Sequence, residues 1–472
     1  MRRINGLGDY FRSSRGARGV ESTAGLGGTA IAKVSDPASA RDGLRRIIAL
    51  AAPVAMADLG WVCMGIEDSM FVGRLGATAL GAVCLGNIVN AVLGLCGAGL
   101  LLGLDTFVSR SFGASRRDEC REWLYQGLFL VAVFGPVLTA TMYFSVPLFG
   151  WFGVKPEVIK AARPFVHALS WSLLPLYVFA AFRRYMQAVG AAHVVMFALV
   201  SANIVNIAGD WLLLKQFGIP GIGWSTCSAR LYMAAVLVGS AVYRDRHLLT
   251  RWVLPHFGRL RSLVRLGVPA ATQLLVEVGM FATASLLAGR LEPASLAAHQ
   301  IAMNIAGFTF MIPLGISSAG AVVVGQALGS RNPRRAKRDG WTAVLLGAGV
   351  MAIASAALVS APYRIARAFT SDARVLSIAP RLLLIAALFQ IFDGLQVVAT
   401  GVLRGAGNTR VPMLANIGGH WLLGLPIGFV LCFSLGLGVR GLWMGLSIGL
   451  IAVACTLVFV WWRTAPQIDD AA

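Results

Sequence analysis

The chain has 472 residues, of which 57% are hydrophobic and only 13% charged, against roughly 45–50% and 25% in soluble domains. A mean hydropathy of +0.72 leaves too little polar surface to face water, so the solvent of most of this chain is lipid. The net charge of +20 would suggest a nucleic-acid partner in a soluble protein, but here its placement excludes that reading, because most Lys and Arg fall in the N-terminal segment, alternate loops and the C-terminus.

The first 46 residues are rich in Gly, Ser, Ala and Arg and contain no apolar run, and are expected to form a disordered basic cytoplasmic tail. Twelve apolar runs follow, each long enough to cross a hydrocarbon core of about 30 Å. They lie near 47–72, 79–108, 121–147, 161–189, 193–215, 219–243, 262–289, 294–328, 340–361, 375–402, 411–434 and 438–462. The expected fold class is therefore an all-α membrane protein, with 12 transmembrane helices in two pseudo-symmetric six-helix bundles. The N-lobe spans 47–245 and the C-lobe 262–463, joined by a cytoplasmic linker at 246–261 and followed by a tail at 464–472. The positive-inside rule puts both termini in the cytoplasm and the protein in the plasma membrane, the inner membrane if the cell is bacterial. Arg364, Arg367, Arg374 and Arg381 dissent, since they cluster at the opposite side.

The two-lobe reading rests on self-similarity. Sliding the chain along itself until Pro53 falls on Pro269 also brings Gly73 onto Gly289, Arg74 onto Arg290, Gly99 onto Gly315 and Gly113 onto Gly329, without a gap. Later, at slightly larger offsets, Gly190 meets Gly407 and Gly218 meets Gly438. Six crossings per half place the start and end of each half on one side, so the halves are related by an axis along the membrane normal.

The chemistry of the runs is carried by a few charged groups. A carboxylate at the bilayer centre costs roughly 2.5–3.5 kcal/mol on insertion scales, so each one there is a functional candidate. Asp58, Asp68, Asp210, Glu277 and Asp393 qualify. Asn206 and Asp210 are four apart and share a helix face, where amide and carboxylate oxygens can converge. Such a set suits a hard cation, and equally a proton, because burial favours the neutral carboxyl. Asp58 and Asp68 share a helix without sharing a face, and Asp58 is expected to be an additional protonation site or a water-facing position. Trp61, Tyr232 and Trp421 are candidates for cation–π contact with a substrate. The seven cysteines show no CxxC spacing and the histidines no HExxH, so no metal centre or enzyme is expected.

Five segments carry a family likeness: 68–76 (DSMFVGRLG), 104–114 (LDTFVSRSFGA), 296–304 (LAAHQIAMN), 311–329 (MIPLGISSAGAVVVGQALG) and 400–407 (TGVLRGAG). In order and at repeat-consistent positions, they make the chain resemble the MATE (multidrug and toxic compound extrusion) family. The resemblance implies a secondary antiporter that exports small organic cations from the bilayer-embedded protein in exchange for Na⁺ or H⁺, with no other cofactor. It implies that Asp68 and Thr226 join Asn206 and Asp210 as oxygen ligands for the coupling ion, Na⁺ being held at Asp68, Asn206 and Asp210. Glu277 and Asp393 match the acidic residues of the family's second half, a substrate or second ion site. His299 and Gln300 are expected to serve a gate or packing, and Asp105 and Arg110 a gate, as an ion pair, or packing and interfacial anchoring. The protein is expected to act as a monomer. The alternative is a flippase or exporter of lipid-linked or other metabolites on the same superfamily fold.

Overall fold

The computed structural model describes residues 40–73, 76–151, 153–250 and 253–470, so residues 1–39 of the expected tail, with Arg74 and Leu75 of the repeat, lie outside the described residues. Among the described residues every regular element is a helix, as a lipid solvent demands of an open chain, because a helix satisfies its backbone polar groups internally. In the first half these are α1 (Ala40–Gly73), α2 (Ala77–Leu100), α3 (Gly103–Gly113), α4 (Arg117–Tyr143), α5 (Leu148–Trp151), α6 (Pro156–Ser170), α7 (Leu173–Ala188), α8 (Ala192–Phe217), α9 (Ile219–Arg244) and α10 (His247–Thr250). In the second they are α11 (Phe257–Ala288), α12 (Pro293–Gly329), α13 (Pro333–Ser360), α14 (Pro362–Phe369), α15 (Ala373–Gly405), α16 (Arg410–Asn416), α17 (Leu425–Phe429) and α18 (Gly438–Asp470).

Among the described residues eleven helices are long and apolar enough to cross a membrane, α2 and α3 counting together as Thr78–Gly113, and a bent pair, α6 and α7, brings the number to twelve when counted as one span. That pair replaces the single helix expected at 161–189, with a 40° bend at Trp171 and Ser172. The crossing expected at 411–434 runs through α16 and α17 with two π-helical segments, Ile417–Gly424 and Val430–Ser434. Two boundaries also differ. Residues 40–46, assigned to the tail, form the first turns of α1, and the C-terminal helix continues to Asp470.

The bundle is held by small side chains, as expected where lipid removes most of the hydrophobic drive between helices. Alanine recurs through all three buried apolar clusters. The clusters also cross the sequence boundary between halves. Ile47 and Ala51 of α1 belong to a cluster otherwise built from α12, α13, α15, α16 and α18, whereas Leu263 of α11 completes the first-half cluster. Ile47 and Leu263 are equivalent positions of the repeat, so each half lends the first turns of its first helix to the other.

The same exchange governs the closest backbone approaches. A Cβ on Gly113 would stand 2.0 Å from the Gln326 carbonyl oxygen, and one on Gly329 would stand 1.9 Å from that of Arg110. Arg110 and Gln326 are themselves equivalent in the repeat, so one contact occurs twice, related by the pseudo-twofold. Between them, a Cβ on Gly325 would meet its own equivalent, Ser109, at 2.8 Å. A second symmetric pair lies deeper, where Gly99 abuts Ala271 and Gly315 abuts Ala55. The turns after α3 and α12 repeat as well, with left-handed Ser115 (φ 61°) and Arg331 (φ 52°). The Gly113 and Gly329 approaches join the ends of α3 and α12 at the end of the bundle that carries the start of α1 and the end of α18, and the deeper pair joins α11 to the end of α2 and α1 to the middle of α12.

Candidate functional site

In the first half, α1, α8 and α9 bring the expected ligands together. Asp68, Asn206, Asp210 and Thr226 are all buried. The Asn206 Nδ2 group donates to Asp68 Oδ1 at 2.7 Å and to Asp210 Oδ2 at 3.2 Å. One amide therefore bridges two carboxyl groups from different helices. Asp210 and Thr226 stand close enough to the Asp68 carboxyl to interact with it electrostatically, and the Thr226 hydroxyl donates to the Ile222 carbonyl at 3.1 Å. Ser225 donates to the Asn206 carbonyl at 2.9 Å and locks α9 to α8. Two buried oxygens, Asn206 Oδ1 and Asp210 Oδ1, have no hydrogen-bond partner. Leaving acceptors unpaired in an apolar interior costs about 1–3 kcal/mol each, and a cation or a proton would offset that cost.

Beside this set lies a residue the sequence reading passed over. Arg230 is four residues after Thr226 on α9 and buried. Its guanidinium donates to Asn90 Oδ1 at 3.0 Å and Ser172 Oγ at 2.6 Å and stands over the Trp61 ring at 5.6 Å. Trp61, offered for a substrate cation, thus already faces one. The signal for Arg230 in the sequence is a lone arginine inside an apolar run. The two other aromatic candidates are also engaged, Tyr232 donating to Ser201 at 3.1 Å and Trp421 to the Val276 carbonyl at 2.9 Å.

In the second half, α11 and α15 place Glu277 and Asp393 close enough to interact electrostatically, Glu277 half-buried and Asp393 buried. Gln390, Asp393 and Gln396 recur every three residues along one face of α15. Gln396 Nε2 reaches Glu277 Oε1 and Asn416 Oδ1, both at 3.3 Å, and Thr309 donates to Gln390 Oε1 at 2.8 Å. This amide shell of Gln390, Gln396 and Asn416 was not foreseen either. Among the described residues there is no group of three or more His, Cys, Asp or Glu side chains placed to hold a metal ion.

The remaining candidates fall elsewhere. Asp105 and Arg110 do not pair with each other. Buried Asp105 faces Arg184 of α7 at 3.5 Å and Arg404 of α15 at 3.4 Å, while Arg110 donates to the Ala406 carbonyl at 2.7 Å. Thr106 donates to the Arg404 carbonyl at 2.6 Å, and Gln326 to that of Ala188 at 2.9 Å. These bonds tie the two halves together beside the glycine crossings. The expected pair is thus corrected to a larger network, because Arg110, beyond Asp105 on the same helix, points at the carbonyl end of α15. Asp58 is neither free nor water-facing: it is buried and bonded to Arg183 at 2.6 Å. His299 is fully buried, accepting at Nδ1 from Trp443 Nε1 at 3.1 Å and bonding Ser285 through Nε2 at 3.0 Å. Accepting at Nδ1 leaves the proton on Nε2, so the ring sits as a neutral packing element. Gln300 is exposed on another face and donates to Asn304 Oδ1 at 3.1 Å.

Against known proteins, two stretches of the chain, residues 53–212 and 269–430, match the MatE family model. The matches begin at Pro53 and Pro269, the same step as the internal repeat. The chain belongs to the MatE family. It is 34% identical over 443 residues to a probable multidrug resistance protein NorM of Mesorhizobium japonicum, covering 90% of this chain and 94% of that protein. A second NorM, from Rhodopseudomonas palustris, is 34% identical over 436 residues, covering 89% and 91%. Among solved structures, a MATE in the bent conformation superposes with a TM-score of 0.84 at 20% identity, over 92% of this chain and 99% of that one. The eukaryotic MATE transporter AtDTX14 does so with a TM-score of 0.80, over the same shares. The fold of this MatE chain is therefore that of a membrane transporter, and the protein is not an enzyme.

Proposed function

We propose that this protein exports small organic cations from the cell in exchange for Na⁺ or H⁺, by alternating exposure of a cavity between its two six-helix halves. The names of its relatives, multidrug resistance proteins, support the substrate class. The observation that carries the coupling is the Asp68–Asn206–Asp210 chain. Two carboxyl groups share one amide in an apolar interior, and two acceptor oxygens beside them are unpaired. When a proton or Na⁺ neutralises the pair, the repulsion between the carboxylates is relieved and α1 and α8 can close on each other. When the ion leaves, the uncovered charge favours an arrangement open to water or to an organic cation. Glu277 and Asp393, screened by Gln396 and Asn416, form the second negative centre. Substrate and ion compete for the same negative charge, so binding one disfavours the other, which is the requirement for exchange.

The halves meet most closely at the end carrying the termini, and the distribution of Lys and Arg assigns that end to the cytoplasm. In this arrangement the cytoplasmic end is sealed, and access to the carboxylates runs from the opposite face. The protein is read as a plasma-membrane monomer, the inner membrane in a bacterium.

The test is transport by purified protein in liposomes, with Na⁺ and pH gradients imposed independently. Efflux of a fluorescent organic cation should require one of the gradients. Asp68→Asn should abolish gradient dependence, and Glu277→Gln should weaken substrate competition. Gradient-driven efflux that is unaltered in the Asp68→Asn, Glu277→Gln double variant would sink the carboxylate mechanism.

A further inference from the structure

Away from the carboxylates, α11 and α16 frame a cleft of about 630 Å³ lined by Gly258, Arg261, Ser262, Val264, Arg265 and Arg410. Arg410 is the first residue of α16, and Arg261 and Arg265 lie one turn apart in the opening turns of α11. Both helices start at the end of the bundle that carries the termini, so the cleft sits where the first turns meet the lipid headgroups. Several basic side chains near this end have an acidic partner: Arg259 has Glu122, Arg121 has Asp118 and Asp245, and Arg46, Arg335 and Arg338 share Asp339. Arg261, Arg265 and Arg410 form no ion pair with any described residue. Three like charges around one cleft repel each other unless an anion lies between them.

The walls below the arginines indicate what kind of anion. On α11 the positions 261, 264, 265 and 268 follow the i, i+3, i+4, i+7 spacing of a single helix face. Val264 is 39% exposed and Val268 is 45% exposed. On α16, Leu414 stands one turn below Arg410 and is 60% exposed. Towards the membrane interior, one turn beyond the positive cleft, α11 and α16 therefore carry uncovered apolar side chains. A free phosphate would use the arginines and leave these side chains bare. A lipid would use both, its phosphate between the guanidinium groups and its acyl chains along Val264, Val268 and Leu414.

We propose that this cleft is a binding site for an anionic phospholipid headgroup, held by Arg261, Arg265 and Arg410. A phosphodiester bearing no compensating ammonium fits three unpaired guanidinium groups, whereas a zwitterionic choline headgroup would bring a fourth cation to them. Each arginine contributes roughly a five-fold gain in affinity for an anionic lipid near the membrane surface, so all three together amount to about a hundred-fold.

The test is native mass spectrometry of the purified full-length protein titrated with phosphatidylglycerol, phosphatidylcholine or inorganic phosphate. The wild type should retain phosphatidylglycerol in preference to phosphatidylcholine, and a large excess of phosphate should not displace it. R261A/R265A/R410A should bind phosphatidylglycerol about a hundred-fold more weakly, while R290A/R364A/R367A, an equal loss of charge at the other end of the bundle, should bind it as the wild type does. If the triple alanine variant does not fold, the single variants Arg261→Gln and Arg265→Gln should each lose about five-fold. Equal retention by the wild type and the cleft variants, equal loss in R290A/R364A/R367A, or displacement by phosphate at matched concentration would each overturn the proposal.

Discussion

Replacing Gly329 by alanine places a methyl group 1.9 Å from the Arg110 carbonyl oxygen. Ordinary contact begins near 3.4 Å, so α3 and α12 must separate by the difference between those two distances or bend. Neither obstacle can swing aside, because one is backbone and the other is the new Cβ. Overpacking of this kind costs about 1–3 kcal/mol, which corresponds to roughly a 5- to 150-fold shift in an equilibrium between two arrangements. The penalty falls on the arrangement in which this end of the bundle is closed, so Gly329→Ala should depopulate it. The pseudo-twofold adds a sharper requirement. Gly113→Ala meets the Gln326 carbonyl at 2.0 Å and should have an effect of the same size. Gly325→Ala, which meets the Ser109 Cβ at 2.8 Å, is a shallower overlap and should do less. The assay is the distance distribution between spin labels at Arg117→Cys and Arg334→Cys, two exposed positions just past the crossings, in a background lacking the native cysteines and reconstituted into lipid nanodiscs. A longer distance should gain population in both the Gly113 and the Gly329 variants. Distributions that superpose on that of the parent, or a large effect in one variant and none in its twin, would refute the symmetric-crossing argument.

Asp105→Asn should lower the thermal stability of the purified protein by about 3–5 kcal/mol, because it strands Arg184 and Arg404 as unpaired buried charges. Adding Arg404→Gln should recover part of that loss, and an additive double variant would show that the pair is not coupled. Asp58→Asn should also be destabilising through Arg183, yet leave gradient-driven transport intact. Asp68→Asn should do the reverse, and a loss of coupling in Asp58→Asn would return that residue to the exchange pathway. His299→Phe should reduce thermal stability by roughly 1–3 kcal/mol through the lost bonds to Ser285 and Trp443. It should leave the pH dependence of transport unaltered, whereas a shifted pH profile would make His299 a proton carrier after all.

What could be read in advance follows from where the constraint acts. The repeat was legible because the glycines at 99, 113, 315 and 329 are held by backbone contact. A position that tolerates no Cβ keeps its identity through a duplication while its neighbours drift. The Asn206 and Asp210 pair was legible because a helix puts residues four apart on one face whatever surrounds it. Asp105 was legible as a gate candidate, but its partners were not. Arg184 lies on α7 and Arg404 in the other half of the chain, and no local pattern couples positions so far apart. Arg230 and the α15 amides went unnoticed for another reason. They complete the two polar centres through partners on other helices, which no spacing along the sequence links to the acids. The break between α6 and α7 is marked in the sequence by Pro175, which has no N–H for the Trp171 carbonyl four residues before it.

The exchange of first turns between the halves bears on how such a chain could have arisen and how it must fold. With Ile47 packed in the second half's cluster and Leu263 in the first half's, neither half alone closes its own interior. Cut at the connecting segment, each would leave an unfilled slot and an unsatisfied helix start, and would satisfy both by pairing with the other or with a copy of itself. The fused chain is thus an intramolecular version of a swapped dimer. Its first helix cannot finish docking until α12, encoded in the other half of the chain, has entered the membrane.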